Sequence, residues 1–201
     1  IEIAPAAALH AQSALTVEAW VNSASGPTEG IQSIVSRWSP RETMDRFEAY
    51  DAGRTSGLDT IGFFGAVFDG RYVYFVAQYD GRERHGKFLR YDTHGPFHKA
   101  ASWSAYDAGN TGGMNTKGYY GGAFDGRYVY FSPRLDSKGP HSRVLRYDTR
   151  GEFTSARSWE AHDAGDPVSH QGAVFDGRYV YFLPGSEGKG KSGKVLRYDT
   201  R

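Results

Sequence analysis

The chain has 201 residues, 39% of them hydrophobic and 15% aromatic, which is enough to build one substantial core or two small ones. Its 24 Lys and Arg against 23 Asp and Glu leave a net charge of +1, which supplies no broad positive field for nucleic acid or an anionic membrane. The absence of cysteine removes disulfides, thiolate metal sites and cysteine nucleophiles, and no apolar run approaches the ~20 residues that cross a bilayer, so no membrane insertion is expected.

In chain order, residues 1–45 offer the β-rich runs ALTVEAWVNS and QSIVSRW, with IEIAP as an edge segment. They read as strands of a degenerate first blade. The first residues lack the basic start and apolar stretch of a signal peptide, so the chain reads as mature, soluble protein or a piece of one. RFEAYDAG, residues 46–53, reads as a fourth strand whose own repeat phrase is missing upstream.

From there the sequence repeats. GAVFDGRYVYF at 65–75 returns as GGAFDGRYVYF at 121–131 and as GAVFDGRYVYF at 172–182. LRYDT begins at Leu89, Leu145 and Leu196, and DAG begins at Asp51, Asp107 and Asp163. From the Asp of FDG to LRYDT is 20 residues in all three copies, while from DAG to the next FDG is 18 residues twice and then 13. A five-residue shortening confined to one connection marks it as the boundary between units, where length changes cost little. The units are therefore about 54–109, 110–165 and 166–201.

Within each unit, GAVF and RYVYF flank an Asp-Gly turn, expected to be type I′. VLRYDT-like and SWSAYDAG-like runs supply a third and a fourth strand. Four antiparallel strands per unit of about 50 residues predict an all-β fold, a β-propeller with three clear blades. Alternation in RYVYF places Tyr72 and Tyr74 on one face and Val73 and Phe75 on the other, so both faces can pack between neighbours. The last unit stops at LRYDT without a fourth strand. Either residues 1–53 form a first blade and close a four-blade ring, or 46–53 pairs with the final unit, leaving three blades that are too few to close alone, so that chains associate into a ring of six.

Two resemblances enter on these residues. ALTVEAWVNSASGPTEGIQSIVSRW, residues 14–38, resembles the opening of a laminin-G-like, concanavalin-type jelly roll, in strands and not as a whole domain. Residues 46–201, through their FDGRYVYF and VLRYDT repeats, resemble uncharacterised bacterial propeller-like repeat proteins. That resemblance implies a fold and brings no activity.

Identical residues spread around a ring serve as frame, so informative positions are those where the copies disagree. Phe63 corresponds to Tyr119 and then His170, and His85 to His141 and then Ser192. Phe63, Tyr119, His170, His85 and His141 are the candidate ligand-binding residues, expected to face a shared opening. The seven histidines show no metal-ligand spacing, and neither a metal nor a cofactor is expected. The unrepeated carboxylates Glu83, Asp136, Glu152, Asp166 and Glu187 sit in polar loops, and GSEGKGKSGK at 185–194 reads as a hairpin tip, not a phosphate loop. The expected function is non-catalytic recognition or scaffolding, with an extracellular or cell-surface carbohydrate as the ligand and ring completion by self-association. A glycosidase and a purely structural assembly module are the alternatives.

Overall fold

The computed structural model describes residues 47–165, 168–187 and 190–201, and Ala49–Arg201 forms one compact unit. The strands expected within 1–45 lie outside the described residues. The fold is all-β and antiparallel, in sheets of two to four strands. A ribbon, β1 (Arg54–Thr55) with β2 (Leu58–Asp59), precedes a four-stranded sheet of β3 (Phe63–Phe68), β4 (Tyr72–Ala77), β5 (Lys87–Asp92) and β6 (Trp103–Asp107). A second ribbon, β7 (Asn110–Thr111) with β8 (Met114–Asn115), leads to β9 (Tyr119–Phe124) and β10 (Tyr128–Pro133). After the short ribbon β11 (Leu135–Asp136) and β12 (Gly139–Pro140), β13 (Arg143–Asp148) and β14 (Trp159–Asp163) complete the second sheet. The third sheet contains β15 (Val168–Phe175), β16 (Tyr179–Glu187), β17 (Gly190–Lys191) and β18 (Leu196–Asp199). The expected tip at 185–194 is the β16–β17 hairpin, paired through Ser186 and Lys191.

The repeated phrases form one clamp. Asp69 turns the β3–β4 hairpin by accepting from the backbone N–H of Arg71 at 2.8 Å and Tyr72 at 2.6 Å, and from the Tyr74 hydroxyl at 2.7 Å. Arg71 then reaches Asp92 of LRYDT with Nε and Nη2, at 3.1 and 2.7 Å, while the Thr93 hydroxyl donates to the Arg71 carbonyl. FDGR and YDT are thus two halves of one hydrogen-bonded corner, repeated at Asp125, Arg127 and Asp148 and at Asp176, Arg178 and Asp199. DAG is a turn of its own, in which Asp107 accepts from Gly109 N–H at 2.9 Å. Alanine at Asp125 should lower stability by about 1–3 kcal/mol, because it strips the partner from a Tyr130 hydroxyl on a side chain only 1% exposed. The urea midpoint should fall less for Asp176→Ala, whose hydroxyl partner Tyr181 is exposed at that bond.

The turn differs from the expectation. Asp69 has no positive φ, and Gly70, at 101°, is the first of two central residues, so the hairpin places its one left-handed residue on glycine and is not type I′. Paired positive φ angles occur in the ribbons, at Ser56 and Gly57 (53° and 75°) and at Gly112 and Gly113 (60° and 76°). The five-residue shortening of the third unit falls where the first two carry these ribbons.

Both faces of RYVYF pack, as the alternation implies. Tyr74 faces Tyr147 and Phe153 of the following unit at 5.6 and 6.0 Å, while Phe75 turns back to Trp103 at 5.8 Å. Trp159 ties the first two sheets together, touching Phe88 and Tyr106 on one side and Phe131, Tyr147 and Phe153 on the other, with its indole N–H on the Phe153 carbonyl at 2.9 Å.

Residues 47–53 form no strand within the single chain. Their counterparts β6 and β14 are held by β5 and β13, and no strand among the described residues pairs with 47–53. The segment nevertheless keeps the packing of its counterparts. Tyr50 stacks on Trp103 at 5.2 Å and 22°, as Tyr106 of β6 stacks on Trp159 at 5.4 Å and 26°.

Candidate functional site

The first strands of the three sheets, β3, β9 and β15, lie side by side, and glycine makes their approach possible. A Cβ on Gly65 would stand 3.0 Å from the Gly121 Cα, and one on Gly121 would stand 3.3 Å from the Gly172 Cα. Next to this glycine row runs a row of differing residues, Phe64, Tyr120 and Gln171. Phe64 and Tyr120 are 5.6 Å apart, with Phe64 42% exposed, and Gln171 is exposed at the matching position of β15. The Arg134 guanidinium lies 4.6 Å over the Tyr120 ring, adding a cation. Such a surface can stack on a flat or weakly polar ring and hydrogen-bond its edge.

The residues chosen from the sequence sit one position away, facing inward. Tyr119 is fully buried, its hydroxyl donating to the Arg143 carbonyl at 2.9 Å, and His170 is 2% exposed against Phe182. Phe63 is half-buried between Phe75 and His85. The structure brings these residues together in separate pairs, Phe63 with His85 and Tyr119 with His141, not around one shared opening. The reason is that all three begin or lie within strands, where side chains alternate, instead of in a loop ahead of them. Adjacent Phe64 and Tyr120 differ between copies in the same way, so disagreement between copies marks both rows and does not separate them.

The paired histidines are held in place by the backbone. His141 Nε2 donates to the Lys117 carbonyl at 2.9 Å while Nδ1 accepts from Arg143 N–H at 3.3 Å, and His85 repeats this with Gly62 and Lys87. This is the neutral tautomer. Burial, with the Arg143 cation second, pushes the His141 pKa down to about 4, and burial likewise lowers that of His85. The repeated carboxylates are equally engaged, and the Arg71 hydrogen bond holds Asp92 down at about 2.

A second feature lies between the second and third sheets. Between the first and second sheets, Phe153 and Trp159 fill the gap. The matching gap further on is an open cleft of about 340 Å³, bordered by Tyr130, Val144, Phe182, Leu196 and Tyr198. Arg146 and Glu160 rim it, joined at 2.6 Å, and Arg146 also donates to the Tyr198 hydroxyl at 3.1 Å. Comparison with known proteins found no matching family model and no matching curated protein.

Proposed function

We propose that the chain is a three-blade section of a β-propeller acting in non-catalytic recognition, with carbohydrate at a cell surface as its ligand class. The observation that carries this reading is the pair of Phe64 and Tyr120 on adjoining first strands under the Arg134 guanidinium, with exposed Gln171 at the matching position of β15. Sugar rings present apolar C–H faces that stack on aromatic rings and hydroxyl edges that pair with amides and guanidinium groups. The repeated Asp and Arg residues support binding over catalysis because their hydrogen bonds are used in the hairpin corners. In a propeller the first strands line the axis, so this row would face the channel.

Glycan-array retention tests the reading directly. Phe64→Ala and Tyr120→Ala should each weaken retention about tenfold, close to 1.4 kcal/mol, with the thermal midpoint nearly unchanged for the exposed Phe64. Retention unaffected by either change, or lost only together with folding, would remove the assignment. Turnover of an aryl glycoside that disappears with one loop carboxylate would instead establish the glycosidase.

A further inference from the structure

Among the described residues the large exposed apolar side chains fall, in sequence, in the first and third units and just ahead of the first. Phe47, Ile61, Phe64, Phe68 and Tyr79 precede or belong to the first unit, and Val174, Leu183, Val195 and Tyr198 belong to the third. Their second-unit counterparts are covered. Tyr198 is 39% exposed where Tyr147 is 0%, and Leu183 is 45% exposed where Ser132 is 0%. Ser132 is covered by the following sheet, its hydroxyl donating to the Gly172 carbonyl, whereas Tyr147 is covered by Phe153 and Trp159 of its own unit, so among the described residues the third sheet lacks both kinds of cover.

The cleft beside β18 specifies what covers it. Phe153 and Trp159 fill its counterpart, and β18 pairs with β16 and with no other strand among the described residues. The counterpart of Trp159 in RFEAYDAG is Phe47, which is 74% exposed. We propose that residues 47–53 of a second copy of this chain add to the open edge of β18 as a fourth strand, with Phe47 filling the cleft. The register follows from β13 and β14, where Arg143 faces Asp163, Arg146 faces Glu160 and Tyr147 faces Trp159. The same register sets Lys194 opposite Asp51, Arg197 opposite Glu48 and Tyr198 opposite Phe47. Each cross-strand charge pair is complementary, and Arg197 with Glu48 reproduces the 2.6 Å pair of Arg146 with Glu160. The donated strand stays anchored to its own chain, because Tyr50 already stacks on Trp103.

With the three four-stranded sheets among the described residues as its blades, head-to-tail donation closes a ring at two copies, since six is the multiple of three within the four to eight blades typical of propellers. The copy number rests on the propeller reading, whereas the strand donation rests on the cleft, the edge and the register. Glycan binding is not needed for either.

Light scattering on the intact chain should give twice 22.2 kDa. Phe47→Asp should raise the dimer dissociation constant by about 100-fold or more while leaving circular dichroism unchanged, because Phe47 is exposed in the single chain. A chain free of cysteine also permits a register test. Glu48→Cys with Arg197→Cys should give a disulfide-linked dimer on a non-reducing gel, and Ala49→Cys with Arg197→Cys, shifted by one position and onto the other face, should not. Both replaced side chains of the first pair are exposed, so folding is preserved. A monomeric wild-type chain, a dimer indifferent to Phe47→Asp, or equal cross-linking by both pairs overturns the donation. A larger assembly that depends on Phe47 overturns the two-copy ring.

Discussion

Alanine at Trp159 should produce the largest loss of stability of any single substitution in the described core, about 3–5 kcal/mol. The side chain is 4% exposed and sits in the largest apolar cluster, in ring contact with Phe88 and Tyr106 of the first sheet and Phe131 and Tyr147 of the second. Removing it opens a void bordered by rings from two sheets, and neither sheet can close the gap without giving up its own ladder. The indole also donates to the Phe153 carbonyl, which would be left without that partner. Against a typical domain stability of about 5–15 kcal/mol, this is a large fraction. A thermal midpoint lower by roughly 6–20 °C is the corresponding calorimetric result. Trp159→Phe should recover part of the loss by restoring ring contacts without the hydrogen bond. A shift of only a degree or two for Trp159→Ala would mean that the first two sheets are not held together through this residue.

Much of this was legible in the sequence because repetition fixes spacing. The constant interval from Asp69 to Leu89, and its copies, is the length of chain that carries β4 out and β5 back so that Arg71 meets Asp92. The main strands of the three units followed from the same comparison, and the β16–β17 hairpin from the glycine-rich run that links two strands. Two things did not follow. The hairpin conformation was not legible because the register puts Gly70 and Arg71, not Asp69 and Gly70, at the centre of the turn, where Asp69 pairs with Tyr72 and its side chain takes the Arg71 and Tyr72 N–H groups. The candidate site shifted by one residue because β3, β9 and β15 begin earlier than the repeated phrase. Their pairing with β4, β10 and β16 also carries a register irregularity between residues such as Phe63 and Ala66, so alternation cannot simply be extended back from the phrase. The segment 46–53 taught a related lesson. Its sequence carries the side chains of a fourth strand, and Tyr50 packs as one, but strand structure also requires an edge to pair with.

Acidification should destabilise the fold between about pH 6.5 and pH 4, before the carboxylates begin to matter. His141 titrates near the ordinary 6.5 in the unfolded chain but only at about 4 in the fold, because burial disfavours the imidazolium and Arg143 repels it, outweighing the opposite pull of Asp136 and Asp163. Its backbone bonds also fit the neutral ring, since Nδ1 accepts from Arg143 N–H and a proton there would abolish that bond. Below pH 6.5 the unfolded state therefore binds a proton that the folded state refuses, and stability falls as pH falls, by up to about 3 kcal/mol for this residue. His85 acts in the same direction through burial. Asp92 has the opposite preference, since its folded pKa is lowered to about 2 by Arg71. Its favourable contribution persists through this window and is lost only as pH drops below about 4 toward 2. Urea midpoints measured from pH 7.5 to pH 4.5 should thus decline for the wild type and decline less for His141→Gln, whose own stability at pH 7.5 is already reduced by the lost ring contacts with Tyr119. An unchanged midpoint across this range would show that the fold accommodates a protonated His141. The window itself separates the two causes, because a transition driven by the Asp and Arg corners would begin only below pH 4.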